Sequence, residues 1–168
     1  MSEYSGSGEY RSRLDQANSF GEVYEIVKDT VKRSLGEYRV GMMLYLDDLP
    51  LKLGAYHSVG TNIIVLNSAL LRIVEASEIS KRDLNSFIYI LLIHEYLHAL
   101  GHLKESKVRQ LAYKVAEESF GENHLATDLA RKGPWSILRG VPLDEFEVPR
   151  RVMEIVKDFE KTDTGYIA

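Results

Sequence analysis

The stretch that decides the fold occupies positions 94–102 and reads His94-Glu95-Tyr96-Leu97-His98-Ala99-Leu100-Gly101-His102. It closes an apolar run from Leu84 to Leu100 whose composition is typical of a buried helix. Two histidines four residues apart lie about one helical turn from each other on one face, so their ring nitrogens can converge on one ion. Glu95 would then lie beside the ion's open coordination position, where it can accept a proton from water. The HExxH pattern therefore predicts a metal site within the central helix.

Burial supports this interpretation over the simpler one. A single histidine on an apolar face is most often a core residue whose hydrogen bonds are satisfied locally. Here His94, Glu95 and His98 share one buried helix, and three buried polar groups without partners would strongly destabilise the fold. One metal ion can satisfy all three, so the spacing and the burial together favour a metal site.

Composition limits the other functions that the chain can have. Its 168 residues, 45% of them hydrophobic, are enough for one compact domain. The net charge of −4 arises from interspersed acidic and basic residues, so no basic face for nucleic acid is apparent. The absence of cysteine excludes disulfides and thiolate ligands, and any metal must be held by His, Glu or Asp.

The apolar segments do not predict a membrane protein. The longest uninterrupted apolar run, from Phe87 to Ile93, is too short to span a bilayer. The first residues are polar and rich in Gly and Ser, unlike a charged-then-apolar leader. We therefore expect a cytoplasmic protein with neither a membrane nor a nucleic-acid partner, and the sequence leaves its oligomeric state open.

Local patterns predict the elements that precede the motif. Residues 1–18 have the composition of a flexible arm. Ser19 to Glu22 has the spacing of a capping box, and Gly36 is placed to end the helix that it opens. Asn67 or Ser68 is placed to cap a short helix that runs through Val74. Strand-forming residues predict three strands, at about 40–46, 52–57 and 61–66.

The part of the chain after the motif is predicted to be mostly helical. Gly101 is expected to end the motif helix, and Gly133-Pro134 to break the chain again. Apolar periodicity predicts helices over about 104–119, 124–131 and 149–161. The last helix would bury Val152, Ile155, Val156 and Phe159, and residues 162–168 would form a frayed tail. The order predicts one α+β domain over 19–161, with a small mixed β-sheet packed on a central active-site helix.

The positions of His94, Glu95 and His98, and the order helix, strands, motif helix, helix across about 20–120, resemble the zincin metallopeptidases. This resemblance implies that His94 and His98 bind Zn²⁺ and that Glu95 acts as general base and acid. It implies a small peptidase acting on a peptide or protein substrate, with an edge strand lining the cleft. Thr61–Leu66 is the candidate for that strand, although its four aliphatic residues suit a core strand equally well.

The third ligand is open on the sequence alone. In the metzincin branch the motif continues as HExxHxxGxxH; Gly101 matches its glycine, but Lys104 stands at the last histidine and cannot ligate while protonated. Glu105 is favoured, as in the gluzincin arrangement, because it lies beyond the turn on the inward stripe of the next helix. His102 is the alternate third ligand, but few residues separate it from His98, so it can reach the ion only if the chain turns back at Gly101. His124 would need a distant loop to fold back.

Other polar residues and other functions carry less weight. Tyr96 is expected to face the core, and Trp135 to be a packing anchor. Tyr56 or His57 could stabilise an oxyanion, although exposed loop positions explain both equally well. The alternatives to a peptidase are an inactive module whose metal is structural or binds a partner, and an amide or ester hydrolase acting on non-peptide substrates.

Overall fold

The computed structural model describes the backbone of residues 2–148 and 151–160, with side chains from residue 8 onward. The helices in this part of the chain are α1 (Ser2–Gln16), α2 (Phe20–Leu35), α3 (Ser68–Ala76), α4 (Lys81–Ala99), α5 (Glu105–Phe120) and α6 (Leu125–Lys132). The strands are β1 (Met43–Asp47), β2 (Ala55–His57), β3 (Ile63–Asn67) and β4 (Glu154–Ile155). Short 3₁₀ turns follow α6 at Pro134–Leu138 and Leu143–Glu145. The predicted α+β class is confirmed.

The sheet is small and mixed, as predicted. Within the described residues it has four strands in the order β2-β3-β1-β4, with β1 parallel to β3 and the other neighbours antiparallel. The suggestion that residues 61–66 form an edge strand is wrong, because β3 lies between β1 and β2. Its side chains Ile64, Val65 and Leu66 are buried, as expected of a core strand. The outer strand on that side is β2.

The motif helix α4 is the centre of the molecule. It contacts α1, α2, α5 and α6 as well as β2 and β3. Its large side chains Phe87, Tyr89, Leu92 and Tyr96 are fully buried. Ser80 caps its first turn by accepting a hydrogen bond from the Asp83 N–H at 3.1 Å. Burial of one large apolar side chain contributes roughly 1.5–3 kcal/mol. Because several such side chains hold α4 in the core, the core also fixes the position of the histidine pair.

The flexible arm predicted over residues 1–18 is wrong for most of that range, since Ser2–Gln16 is the helix α1. Leu14 is 0% exposed, and the Asn85 side-chain amide donates 2.8 Å hydrogen bonds to the carbonyls of Leu14 and Ala17. The Arg11 guanidinium donates to the Phe120 carbonyl at 3.1 Å. The Gly- and Ser-rich composition predicts disorder because composition reflects local propensity alone. This helix is stabilised by tertiary contacts, which composition does not reveal.

The helix predicted over 149–161 is also wrong where the chain is described. Residues 154 and 155 form β4, which pairs antiparallel with β1, and the Val156 N–H donates to the Leu44 carbonyl at 2.9 Å. Val152 is 93% exposed, whereas Phe159 is buried and stacks on Tyr24 with 4.1 Å between ring centroids. The apolar spacing fits a helix, but strand pairing at the free edge of β1 takes precedence. Residues 149–150 and the tail predicted at 162–168 lie outside the described residues.

The remaining helix ends follow the predicted caps. Ser19 accepts from the Glu22 N–H at 3.1 Å, and Gly36 ends α2 in the left-handed conformation. Asn67 caps α3. The helices predicted at 104–119 and 124–131 are present as α5 and α6, each within a residue of the expected bounds.

A buried carboxylate joins the end of the sheet to α3. Asp48 accepts hydrogen bonds from the Arg72 guanidinium at 2.7 Å, the Ser68 hydroxyl at 2.8 Å and the Arg151 backbone N–H at 3.0 Å. Burial opposes ionisation, but these hydrogen bonds outweigh it and hold the pKa of Asp48 below its usual value.

We expect Asp48→Asn to lower the free energy of unfolding at pH 7 by about 1–3 kcal/mol, because its charge-assisted hydrogen bonds are weakened. The pKa of Asp48 is lowered on folding, so its contribution is complete above the unfolded pKa and is lost as the pH falls through the folded pKa. Urea unfolding at pH 7 and near pH 3 measures this difference between wild type and variant. The exposed Asp144 is the control, since Asp144→Asn should change stability by less than about 0.5 kcal/mol. If the difference in free energy of unfolding between wild type and Asp48→Asn increased in acid, the stabilising role assigned to the ionised Asp48 would be contradicted.

Candidate metal centre

The two motif histidines lie on one face at the C-terminal end of α4. Their ring centroids are 4.9 Å apart, and both side chains are partly buried. The preceding turns of the helix lie within the core, so the backbone that carries the histidines is held in place. The spacing inferred from the sequence is therefore realised as a converging pair.

The turn after α4 brings the next helix back to the histidines. Gly101 has φ +108°, a conformation that residues with a side chain rarely adopt. Its N–H donates to the His98 carbonyl at 3.0 Å, and the His102 N–H donates to the Leu97 carbonyl at 3.1 Å. The chain therefore leaves α4 through a tight reversal, and α5 begins at Glu105 beside the motif.

Glu105 joins the histidine pair. One carboxylate oxygen lies 2.8 Å from His94 Nε2 and the other lies 2.8 Å from His98 Nε2. One ligand atom from each of the three residues lies within 4.8 Å of the others. Ligand atoms at about 2.0–2.1 Å from a tetrahedral Zn²⁺ are roughly 3.3 Å apart, so no pair of these atoms is more than about 1.5 Å further apart than the ion requires. The Glu105 side chain is 60% exposed, so its carboxylate has room to move.

The chemistry of this donor set fits Zn²⁺. Two imidazole nitrogens and one carboxylate oxygen are ligands that this ion accepts in tetrahedral sites. His98 Nδ1 lies 2.7 Å from the His102 carbonyl, to which it donates, so Nε2 is directed toward the shared point. Burial lowers the pKa of His94, which favours the neutral imidazole that binds metals. Burial acts against the ionisation of Glu105, but the adjacent histidines outweigh it and lower its pKa.

Glu95 is the buried acid of the site. It is only 7% exposed and lies in the wall of the same cavity as His94 and Glu105. Burial raises the pKa of Glu95 to about 7; the charge of Glu105 adds to this, while His98 and the backbone of His57 oppose it. A carboxyl group with a pKa near neutrality is suited to exchanging protons at physiological pH.

The other two candidate ligands are engaged elsewhere. His102 Nε2 lies 2.8 Å from a carboxylate oxygen of Glu37, near the end of α2. His124 is buried, its Nε2 lies 2.9 Å from Asp15, and its Nδ1 accepts the Ala126 N–H at the start of α6. The structure thus places neither His102 nor His124 with the histidine pair.

The remaining polar residues have separate roles. Tyr96 faces the core, as predicted, and its hydroxyl accepts the Arg39 backbone N–H at 2.9 Å. His57 Nδ1 lies 2.9 Å from the Ile63 carbonyl, and the oxyanion role suggested for Tyr56 or His57 stays a prediction. Tyr56 is partly buried on the same strand. Trp135, expected to be a packing anchor, lies in the wall of the cavity beside the candidate metal centre.

The sequence interpretation missed the cavity that adjoins the histidines. It has a volume of about 670 Å³ and lies between β2, α4, α5, α6 and the 3₁₀ turn at Pro134. Arg109 and Tyr113 contribute to its wall from α5, and Lys52 from the turn before β2. Helical spacing provides a signal for the first two, since they follow Glu105 at intervals of four residues. No local pattern marks Lys52.

Comparison with family models, curated proteins and solved structures finds no match to this chain. In the described part of the chain, no helix combines the length and the apolar character needed to cross a membrane.

Proposed function

We propose that this protein is a zinc-dependent hydrolase, and specifically a small zincin-type metallopeptidase. The observation that carries the proposal is the convergence of His94, His98 and Glu105 on one point, with Glu95 buried in the wall of the same cavity. Three protein donors leave one position of a tetrahedral ion open, which is the arrangement of catalytic zinc sites.

Each residue has a distinct role in this proposal. His94, His98 and Glu105 would hold the ion, and Zn²⁺ in such a site acidifies water and polarises a substrate carbonyl. Glu95 accepts the proton of the attacking water, because its carboxyl group is buried and has a pKa of about 7. Glu95 then delivers that proton to the amine that leaves. The His102 carbonyl keeps His98 in the required orientation through its 2.7 Å hydrogen bond.

The outer edge of β2 supports a peptide as the substrate. Gly54 and Tyr56 lie at positions whose backbone groups face β3 and form its hydrogen bonds. Because these groups alternate in direction along an antiparallel pair, the N–H and C=O groups of Ala55 point away from β3. Ala55 lines the cavity, and an extended peptide can pair with these groups. Gly54 allows β2 to approach α4 closely, because a Cβ there would lie 2.7 Å from Leu91 Cδ2. A non-peptide ester or amide would leave this edge unused.

The donor count favours a catalytic site over a closed structural one. A closed site needs four protein ligands, whereas the described residues supply a group of three. His102 and His124, which could have completed it, are hydrogen-bonded to Glu37 and Asp15. A structural site would also have no use for a buried acid at Glu95.

Metal analysis of the purified protein tests the proposal. We expect about one zinc per chain in the wild type, and we expect His94→Ala and His98→Ala to remove it. Both variants should also lose the rise in melting temperature that added zinc produces, because the ion binds only the folded chain. His57→Ala is the matched control, since its ring faces the Ile63 carbonyl and zinc should be retained. Equal zinc content in wild type and both motif variants would exclude a metal site here.

A further inference from the structure

The cavity beside the proposed zinc site has an uneven charge. Its wall contains four basic side chains, Lys52, Arg109, Arg131 and Lys132. The acidic residues in the wall are Glu105, a proposed ligand, and Glu95, the proposed proton acceptor beside it. Apart from these two glutamates, the described residues of the wall include no acid, so the space left for a substrate is bordered mainly by basic residues.

Arg109 is the basic residue best placed to act on a substrate. It follows Glu105 by four residues on α5, where the two side chains would ordinarily pair. Glu105 instead directs both oxygens to the histidines, and among the described residues Arg109 has no ion-pair partner. His94, Glu105 and Arg109 also line the same cavity.

The other basic residues differ in their availability. Arg131 and Lys132 are bound to Asp128, at 2.7 and 3.2 Å, so their charge is partly neutralised. Lys52 lies across the cavity on the turn before β2, and the described part of the chain offers it no ion pair. Arg109 and Lys52 thus border the cavity with uncompensated charge.

Much of the rest of the wall is apolar, although Gln110 and Tyr113 add polar groups. It includes Ile90, Leu91, Leu129, Pro134 and Trp135. A ligand that matches this cavity combines an apolar side chain with an anionic group near the scissile bond. Among peptides, that anionic group is a carboxylate.

We propose that the cavity binds a carboxylate of the peptide substrate through Arg109, with an apolar side chain packed against Leu91 and Trp135. This inference rests on the proposed peptidase function and names its substrate class. The carboxylate can come from a free C-terminus or from an Asp or Glu side chain. In both cases the planar guanidinium provides the parallel donors that a carboxylate accepts.

Trp135 is the only tryptophan of the chain and lines the cavity, so its fluorescence reports occupancy. Zinc-loaded Glu95→Gln protein, in which cleavage is suppressed, is titrated with three peptides of equal length that contain leucine. The first has a free C-terminal carboxylate and a glutamine, the second an amidated C-terminus and a glutamate, and the third an amidated C-terminus and a glutamine. We expect the first or the second to bind about tenfold tighter than the third. Which of the two binds tighter identifies the source of the carboxylate.

Arg109→Gln, introduced in the same background, should abolish that tenfold preference while zinc content is retained. Lys107→Gln is the matched control, because Lys107 is exposed on the same helix and lies outside the cavity wall. Equal affinity for all three peptides, or no binding of any, overturns the inference. So does a preference that survives Arg109→Gln.

A cleavage assay with the unsubstituted zinc enzyme separates the two proposals. Equal cleavage of all three peptides overturns the carboxylate preference and leaves the peptidase function standing. Carboxylate-dependent binding without any cleavage overturns the peptidase function and leaves Arg109 as part of a carboxylate-binding pocket.

Discussion

Glu95→Gln is expected to lower peptide hydrolysis by about 10²–10⁴-fold while the protein keeps its zinc. The amide has the size of the carboxylate and can still receive the hydrogen bond from the His57 backbone, but it cannot accept a proton from water. Because Glu95 is outside the proposed ligand set, the ion should remain bound. The loss should therefore appear in kcat rather than in metal content.

The measurement is the rate of peptide cleavage with zinc content determined on the same samples. Glu122→Gln provides the control, since this glutamate is exposed between α5 and α6 and the rate should not change. Cleavage by Glu95→Gln at the wild-type rate would exclude Glu95 as the base. Loss of zinc from this variant would instead make Glu95 a ligand.

The second large effect is expected at Glu105, where Glu105→Ala should weaken zinc binding by far more than 100-fold. Loss of one of three protein ligands leaves the ion held by His94 and His98 alone, whereas loss of an outer-shell partner costs only about 10–100-fold in affinity. His102→Ala should have at most this smaller effect, because the hydrogen bond to His98 comes from the backbone carbonyl, which the variant retains. Competition with a chromophoric chelator measures all these affinities.

His124→Ala separates loss of metal from loss of structure. This substitution removes the contact with Asp15 and the cap of α6, so it should lower the melting temperature while the folded protein keeps wild-type zinc affinity. Glu105→Gln retains one oxygen donor and should be less damaging than Glu105→Ala. If the His102 variant lost the most affinity, or if all three alanine variants had equal, mild effects, Glu105 would not be the third ligand.

The parts of the structure that could be predicted from the sequence are those specified by neighbouring residues. The motif helix, its end near Gly101 and the caps at Ser19 and Asn67 depend on helical period and local hydrogen bonds. The sequence favours Glu105 because it lies past the turn on the inward stripe of the next helix, and the structure brings it to the histidines. Its role as a metal ligand stays a prediction.

The errors occur where distant segments meet. Helix α1 depends on Asn85 and Phe120, which are about 70 and 110 residues away in the chain, so its composition alone predicts an arm. The strand at Glu154–Ile155 exists because β1 has an open edge, which no pattern in that segment reveals. The error in strand order also arises from contacts between distant segments. The pairing of β3 with both β1 and β2 makes β2, rather than β3, the outer strand.

The position of Glu105 at the start of α5 also has a consequence for local opening of the protein. The helices α2, α3, α4 and α6 have a side chain that caps the first turn, whereas Lys104, at the N-cap of α5, provides none. His94 and His98 belong to a helix that is expected to open only with the whole core, while the uncapped first turn of α5 is free to fray. An ion shared by these three residues would therefore link the first turn of α5 to α4 and oppose its fraying. The ion would stabilise the start of α5 as the serine, asparagine and histidine caps stabilise the start of the other four helices.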